Sequence, residues 1–184
     1  MPENIEPNIK QLSSTIVHET PYMRLRHDEI QRMDGSRGLY SYVEKPDFAL
    51  IIPMENDGFH LIEQYRYPIG RRSIEFPQGT LPNLATVDPE QLARIELRQE
   101  TGLSSESMRH LGHLYCAAGL TAQGFDVFLA TGLSHGEPEL EAEEQDLRHQ
   151  WFSRKEVNEM ICSGVIVDDS TLAAYTLLML NEQV

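Results

Sequence analysis

Residues 88–102 read DPEQLARIELRQETG, from Asp88 to Gly102. Asp88 can cap free backbone amides, Pro89 suits the first helical position, and Gln91 can reach back as in a capping box. Gly102 supplies the stop. The stretch therefore predicts a helix bounded at both ends, Pro89 to Thr101, whose faces can be assigned. At about 100° per residue, Leu92, Ala93 and Leu97 share an apolar arc, while Gln91, Arg94 and Arg98 point to solvent. Glu96 and Glu100 fall inside the apolar arc, four residues apart. Like charges at that spacing repel, and partial burial adds a desolvation cost. A divalent cation would offset both, since Mg²⁺ favours one or two carboxylates together with waters and substrate phosphates. The helix alone leaves two other readings open: a solvated pair on an exposed edge, or arginine partners from elsewhere in the chain.

Around this helix the sequence alternates strands with helices. Ser14 to Glu19, Tyr22 to Met33 and Leu39 to Val43 predict strands, with Asp34-Gly35 as a hairpin turn. Met1 to Gln11 is polar and carries two prolines, and is expected to be loosely held. Phe48 to Met54 and Phe59 to Arg66 predict a second hairpin about the Glu55-Asn-Asp-Gly58 turn. Further strands are expected at Ser73 to Phe76, His110 to Cys116, Phe125 to Ala130 and Leu147 to Phe152. Helices are expected at Arg154 to Cys162 and Ser170 to Leu180. Helices fall between strands, so the expected class is α+β, a mixed sheet covered by helices. The organisation expected is an N-terminal β segment, residues 1–45, followed by one larger domain, residues 46–184. The N-terminal hairpins are too few for a core of their own and predict packing on a partner subunit or on the main domain.

The chain has 184 residues and a formal net charge of −14, which disfavours binding to nucleic-acid backbones. No apolar run approaches the ~18 residues needed to span a bilayer, and the start lacks the basic and apolar regions of a signal peptide. The cytoplasm is the expected compartment, with no membrane association. The two cysteines, Cys116 and Cys162, form no CxxC pair and are expected to be buried free thiols.

The segments flanking the helix carry a resemblance. Glu75-Phe76-Pro77-Gln78-Gly79 precedes it, and Ile95-Glu96-Leu97-Arg98-Gln99-Glu100-Thr101-Gly102-Leu103 ends it. Together these resemble the Nudix box, G-x5-E-x7-R-E-U-x-E-E-x-G-U, with U aliphatic. The resemblance extends from about Phe48 to the C-terminus. It includes Gln64-Tyr65-Arg66-Tyr67-Pro68 before the box and Leu147 to Thr171 after it, and is closest to the ADP-ribose pyrophosphatase and nucleoside-diphosphate-sugar branch. The box is altered. Ile95 stands for its arginine, Gln99 for the first glutamate of the pair, and Val87 for the first glutamate of all. The spacing from Gly79 to the helix is two residues too long. Ala118 stands where many ADP-ribose members carry a proline.

The resemblance implies a Nudix α/β/α sandwich and metal-assisted hydrolysis of a nucleoside-diphosphate sugar, ADP-ribose or similar. It implies Glu96 and Glu100 as catalytic metal ligands, with the backbone carbonyl of Gln78 as a third, holding Mg²⁺ or Mn²⁺. Gly79 is the box glycine at the substrate. Glu75 is implied to support metal or substrate; a solvated strand residue is the competing reading. Arg66 is implied to meet a substrate phosphate, with Arg71 and Arg72 weaker candidates and a plain surface salt bridge the alternative. In the acidic stretch Glu137 to Asp146, Glu143 aligns best with a mobile general base and Glu144 is next to it. Members of this branch commonly exchange N-terminal strands in a homodimer. The lost box positions also support a second class of function, a catalytically silent module that binds a nucleotide-type ligand.

Other chemistry finds no support. His110 and His113 lie three apart on an expected strand, which points them to opposite faces and argues against a zinc site. Neither a G-x-x-x-x-G-K-[ST] loop nor a G-x-S-x-G elbow occurs. Asp168-Asp169-Ser170-Thr171 reads as the cap of the last helix.

Overall fold

The computed structural model describes residues 8–81, 87–140 and 145–182. The described residues fall into two compact units.

The first unit contains the described residues of Met1–Pro46 together with Tyr115–Gln123. It is a three-stranded antiparallel sheet of β1 (Ile9–Glu19), β2 (Arg24–Arg32) and β3 (Arg37–Glu44) in sequence order. The first strand begins at Ile9, so the expectation of a loosely held segment fails for Ile9 to Gln11, which pair with Arg32, Gln31 and Ile30. The strands join through Gly35, whose φ of 83° requires a residue without a Cβ. Val43 exchanges backbone hydrogen bonds with the 115–123 segment, accepting from Ala122 (3.1 Å) and donating to Leu120 (2.9 Å). This unit buries little. Ile9, Leu12, Ile16, Val17 and Leu39 are all exposed.

The second unit holds the described residues of Asp47–Leu81, Thr86–Leu114 and Gly124–Val184. Its strands are β4 (Phe48–Glu55), β5 (Gly58–Arg66), β6 (Arg71–Glu75), β7 (Gln78–Gly79), β8 (Leu103–Tyr115), β9 (Gly124–His135) and β10 (Arg148–Ser153). They form one mixed sheet in the order β10-β5-β4-β9-β8, with β6 on β5 and β7 on β4. The β4–β9 pair is parallel, and the pairings of β4 with β5 and of β5 with β6 and β10 are antiparallel. β4 is the apolar run Phe48–Met54 seen in the sequence. It is buried because both faces are covered.

The covering helices explain that burial. α1 (Pro89–Thr101) lays Leu92, Ala93 and Leu97 against Ala49, Ile51, Phe128 and Ala130. On the opposite face, Phe59 meets Tyr175 of α3 (Asp169–Asn181) edge-on at 5.6 Å, and Phe76 at 6.0 Å. Phe59 pairs with Met54 in the β4–β5 register, so it shares a face with Met54 and not with Ile51. The second unit is therefore a helix/sheet/helix sandwich, as expected. α2 (Arg154–Cys162) opens with a capping box between Ser153 and Glu156. The β4–β5 turn places Asn56 and Asp57 at φ of 50° and 54°, the two left-handed positions that match the strand twist of a two-residue hairpin.

Two elements escaped the sequence reading. The two-residue β7 is too short for any periodicity, and the 3-10 turn Tyr67–Ile69 follows Arg66 directly. β8 and β9 are also longer than expected because polar residues continue both. Both cysteines are free, but neither is buried as expected: Cys116 is half-buried, and Cys162, the last residue of α2, is exposed.

Candidate active site

α1 forms where the sequence placed it. The Asp88 carboxylate accepts from the amides of Glu90 and Gln91, and Gly102, at φ 73°, returns its N–H to Arg98. Arg94 and Arg98 turn outward to Glu90 and Glu139. Glu96 and Glu100 turn inward and are 6% and 1% exposed. The reading of a solvated pair on a helix edge therefore fails.

What they turn toward is β7. The backbone N–H of Gln78 donates to Glu100 Oε2 at 2.9 Å. Gly79 lies directly beneath Glu96, and a Cβ there would run into the Glu96 carboxylate. Gln78 and Gly79 are held in place by pairing with Leu50 and Ala49 of β4.

Glu75, at the end of β6, is 1% exposed, so it is not a solvated strand residue. Arg66 donates to it from Nε (3.0 and 3.2 Å) and from Nη2 (2.5 Å). Burial alone would raise the Glu75 pKa; the guanidinium outweighs it and holds the carboxyl below the usual range. Burial likewise works against the charge of Arg66, but Glu75, with Glu100 and Asp168 nearby, keeps its pKa above the ordinary value. The Arg66 side chain stays 39% exposed, which leaves part of the guanidinium open to a ligand. Arg72 is engaged elsewhere, with Asp146 and Glu63.

The structure adds one residue that the sequence presented only as a cap. Asp168 does cap α3, accepting from the Thr171 amide at 2.8 Å. The same Oδ2 also accepts from Gln78 Nε2 at 3.3 Å, and that amide donates to Glu75 at 3.0 Å. Burial, then the charge of Glu75, pushes the Asp168 pKa above the usual carboxylate range. No sequence signal distinguishes such a cap from any other, because the link to Gln78 spans 90 residues.

The sequence-derived set of Arg66, Glu75, Gln78, Gly79, Glu96 and Glu100 is thus one connected cluster, with Asp168 joined to it. It carries four carboxylates against one guanidinium. All-oxygen donors of that kind suit a hard divalent cation such as Mg²⁺ or Mn²⁺, so the residues present fit the group. Glu143 and Glu144 lie outside the described residues.

The placement expected of two histidines is corrected, while among the described residues they form no group of three metal-ligand side chains. His110 and His113 do not diverge: His110 Nε2 is 2.7 Å from Asp126 Oδ1 and His113 Nδ1 is 3.3 Å from Asp126 Oδ2. Both side chains reach one carboxylate of the neighbouring strand, which strict alternation along β8 would not allow.

The chain is 32% identical over 170 residues to the ADP-ribose pyrophosphatase of Mycobacterium tuberculosis, covering 91% of this chain and 82% of that protein. The chain belongs to the ADP-ribose pyrophosphatase family of Nudix hydrolases. Residues 9–43 match the family model described as the nucleoside diphosphate sugar hydrolase N-terminal domain. The ADP-ribose pyrophosphatase of Bacillus subtilis is 24% identical over 84% of each chain. The methanol dehydrogenase activator of Bacillus methanolicus is 26% identical over 87% of this chain and 86% of its own. In fold, the chain is similar to a crystal structure of ADP compounds hydrolase, with a TM-score of 0.81 over 96% of both chains at 18% identity. Nudix hydrolases generally need a divalent metal, in keeping with the excess of carboxylates in the cluster.

Proposed function

We propose that this Nudix hydrolase cleaves the diphosphate of a nucleoside-diphosphate sugar, ADP-ribose or similar, to a nucleotide and a sugar phosphate. The observation that carries the reading is the seating of Glu96 and Glu100, buried on α1, against the β7 backbone, with the Arg66–Glu75 pair beside them. The similarity to two ADP-ribose pyrophosphatases supports the substrate class.

Glu96, Glu100 and the backbone carbonyl of Gln78 would hold Mg²⁺ or Mn²⁺ in this reading. When bound, the cation neutralises phosphate charge and lowers the pKa of an attacking water. Water oxygen forms the new bond to one phosphorus while the bridging P–O bond breaks, and the departing phosphate keeps that oxygen. Arg66 orients a substrate phosphate through its exposed edge, and Glu75 fixes the plane of the guanidinium. Gly79 leaves room for the Glu96 carboxylate over the strand. Glu143 takes the proton of the attacking water. At a net charge of −14, cation binding is also what admits an anionic substrate.

The protein acts in the cytoplasm as a homodimer in this reading, without nucleic-acid partners. The exposed Ile16, Val17 and Leu39 of the first unit support self-association. Among the described residues, no helix is long and apolar enough to cross a membrane.

The test is turnover of a panel of nucleotide sugars and dinucleotides with Mg²⁺ and then Mn²⁺. Cleavage that yields a nucleoside monophosphate and a sugar phosphate supports the reading. No turnover of any substrate, with ligand binding intact and indifferent to Glu100→Gln, favours a silent binding module instead.

A further inference from the structure

We propose that Glu55, His60 and His135 form a second metal site, selective for a zinc-class transition dication and separate from the carboxylate cluster of α1.

The three residues come from three adjacent strands of the second unit: the end of β4, the start of β5 and the end of β9. One ligand atom from each lies within 4.8 Å of the other two. His60 Nε2 is 3.4 Å from Glu55 Oε2, and His135 Nε2 is 3.3 Å from the same oxygen. Tetrahedral zinc with bonds near 2.0–2.1 Å places its ligand atoms about 3.3 Å apart. Two edges of such a tetrahedron are therefore already set.

Backbone features hold the ligands in this arrangement. The β4–β5 register pairs Glu55 with Gly58, which puts Glu55 and His60 on the same sheet face. The turn between them is tight, and Trp151 Nε1 donates to the Glu55 carbonyl at 3.0 Å. Gly132, at φ 66°, interrupts the alternation of β9. Leu133 then packs on the same core as Phe128 and Ala130, and His135, two residues on, follows it to that face.

His60 is 4% exposed, yet its other ring nitrogen is also engaged. Nδ1 lies 2.9 Å from His149 Nε2. Trp151 pairs with His60 and His149 with Ile62, so the two histidines are diagonal neighbours on one face of β5 and β10. A hydrogen bond from His60 Nδ1–H to His149 leaves the Nε2 lone pair directed at the Glu55 oxygen. This is the outer-shell support that metal-bound imidazoles ordinarily have. The His135 side chain is 58% exposed, so the fourth coordination position faces water and an entry path exists.

The site lies apart from the proposed metal ligands of α1 and β7. Glu55 is five residues along β4 from Leu50, the pairing partner of Gln78, roughly 17 Å along the strand. The ligand chemistry differs as well: imidazole with one carboxylate suits Zn²⁺, Ni²⁺ or Cu²⁺, whereas the α1 cluster offers oxygen only. A bound ion would join β4, β5 and β9 at the end of the sheet remote from Gln78.

The test is zinc titration of the metal-stripped full-length protein by calorimetry under saturating Mg²⁺, with melting temperature as a second readout. The expected result is one equivalent of Zn²⁺ and a raised melting temperature. Both effects should vanish in His135→Ala and in Glu55→Gln, and persist in Glu96→Gln/Glu100→Gln. His149→Gln should weaken binding roughly tenfold or more without abolishing it. Co²⁺ in place of Zn²⁺ should give the visible absorption of a tetrahedral complex in the wild type and not in His135→Ala. Absence of a saturable zinc equivalent overturns the proposal, as does an equivalent that survives His135→Ala or disappears with the α1 carboxylates.

Discussion

The backbone amide of Gln78 donates to the buried carboxylate of Glu100 at 2.9 Å, joining a two-residue strand to a helix 22 positions later. This bond determines which way Glu100 points. It also brings the Gln78 main chain beside the helix. If Glu96 and Glu100 hold the catalytic cation, Glu96→Gln and Glu100→Gln should each lower kcat/KM by at least about 100-fold, beyond the usual cost of losing an outer-shell partner. Turnover that survives the double substitution would remove the metal assignment. Steady-state assays across a range of Mg²⁺ concentrations measure it.

Gly79 lies where any side chain would meet Glu96. Gly79→Ala should therefore displace the carboxylate and leave the β4–β7 pairing in place. A displacement of about 1 Å in a catalytic group can cost on the order of 100-fold in rate. The expected outcome is a large fall in kcat with a melting temperature close to wild type. A variant of normal activity would show that Glu96 has slack the geometry does not suggest.

Arg66 and Glu75 are unequal partners, because Glu75 is 2% exposed in its side chain and Arg66 39%. Removing Arg66 leaves a buried carboxylate without its cation, whereas neutralising Glu75 leaves a guanidinium that water can reach. Arg66→Ala should thus destabilise more, by about 2–3 kcal/mol after discounting the several kcal/mol of a fully buried pair for solvent. Glu75→Gln should cost about 1 kcal/mol. Urea unfolding of both variants gives the order, and the reverse order would contradict the burial argument.

Asp168 separates two roles by substitution. Asn caps a helix about as well as Asp, while Ala costs about 1 kcal/mol. Asp168→Ala should therefore lose stability and Asp168→Asn should not. If the carboxylate also belongs to the charge balance of the cluster, Asp168→Asn will shift the Mg²⁺ concentration needed for half-maximal rate. An unchanged Mg²⁺ dependence would confine Asp168 to capping.

The exposed apolar residues of the first unit carry the homodimer prediction. Light scattering should give twice the 21.0 kDa of the chain. Val17→Glu with Leu39→Glu should give the monomer mass or loss of the N-terminal fold seen by circular dichroism. A wild-type monomer would mean that these side chains meet something else.

Much of this fold could be read from local rules. The Asp88 cap, Pro89 and Gly102 bound α1 because capping depends on residues within one turn, and that helix runs from Pro89 to Thr101 as expected. Strand positions followed from alternation, and the inward placement of Glu96 and Glu100 from helical period. The ends were less legible: β1 begins earlier, and β8 and β9 run on, because backbone pairing continues through polar residues when a neighbouring strand is present. Cys162 was misjudged since an apolar sequence neighbourhood does not determine which face of a short helix meets solvent.

By itself the sequence determined the helix, its carboxylate pair and the segments that mark a Nudix hydrolase, all encoded in residues close together in the chain. Only the tertiary structure decided how that helix is used. It seated Glu96 and Glu100 on the Gln78–Gly79 strand, turned Glu75 from a surface candidate into the buried partner of Arg66, and drew Asp168 in across 90 residues. It also gathered Glu55, His60 and His135 from three strands. The physical reason is common to all of them: these contacts depend on strand order and register, which no local spacing along the chain encodes.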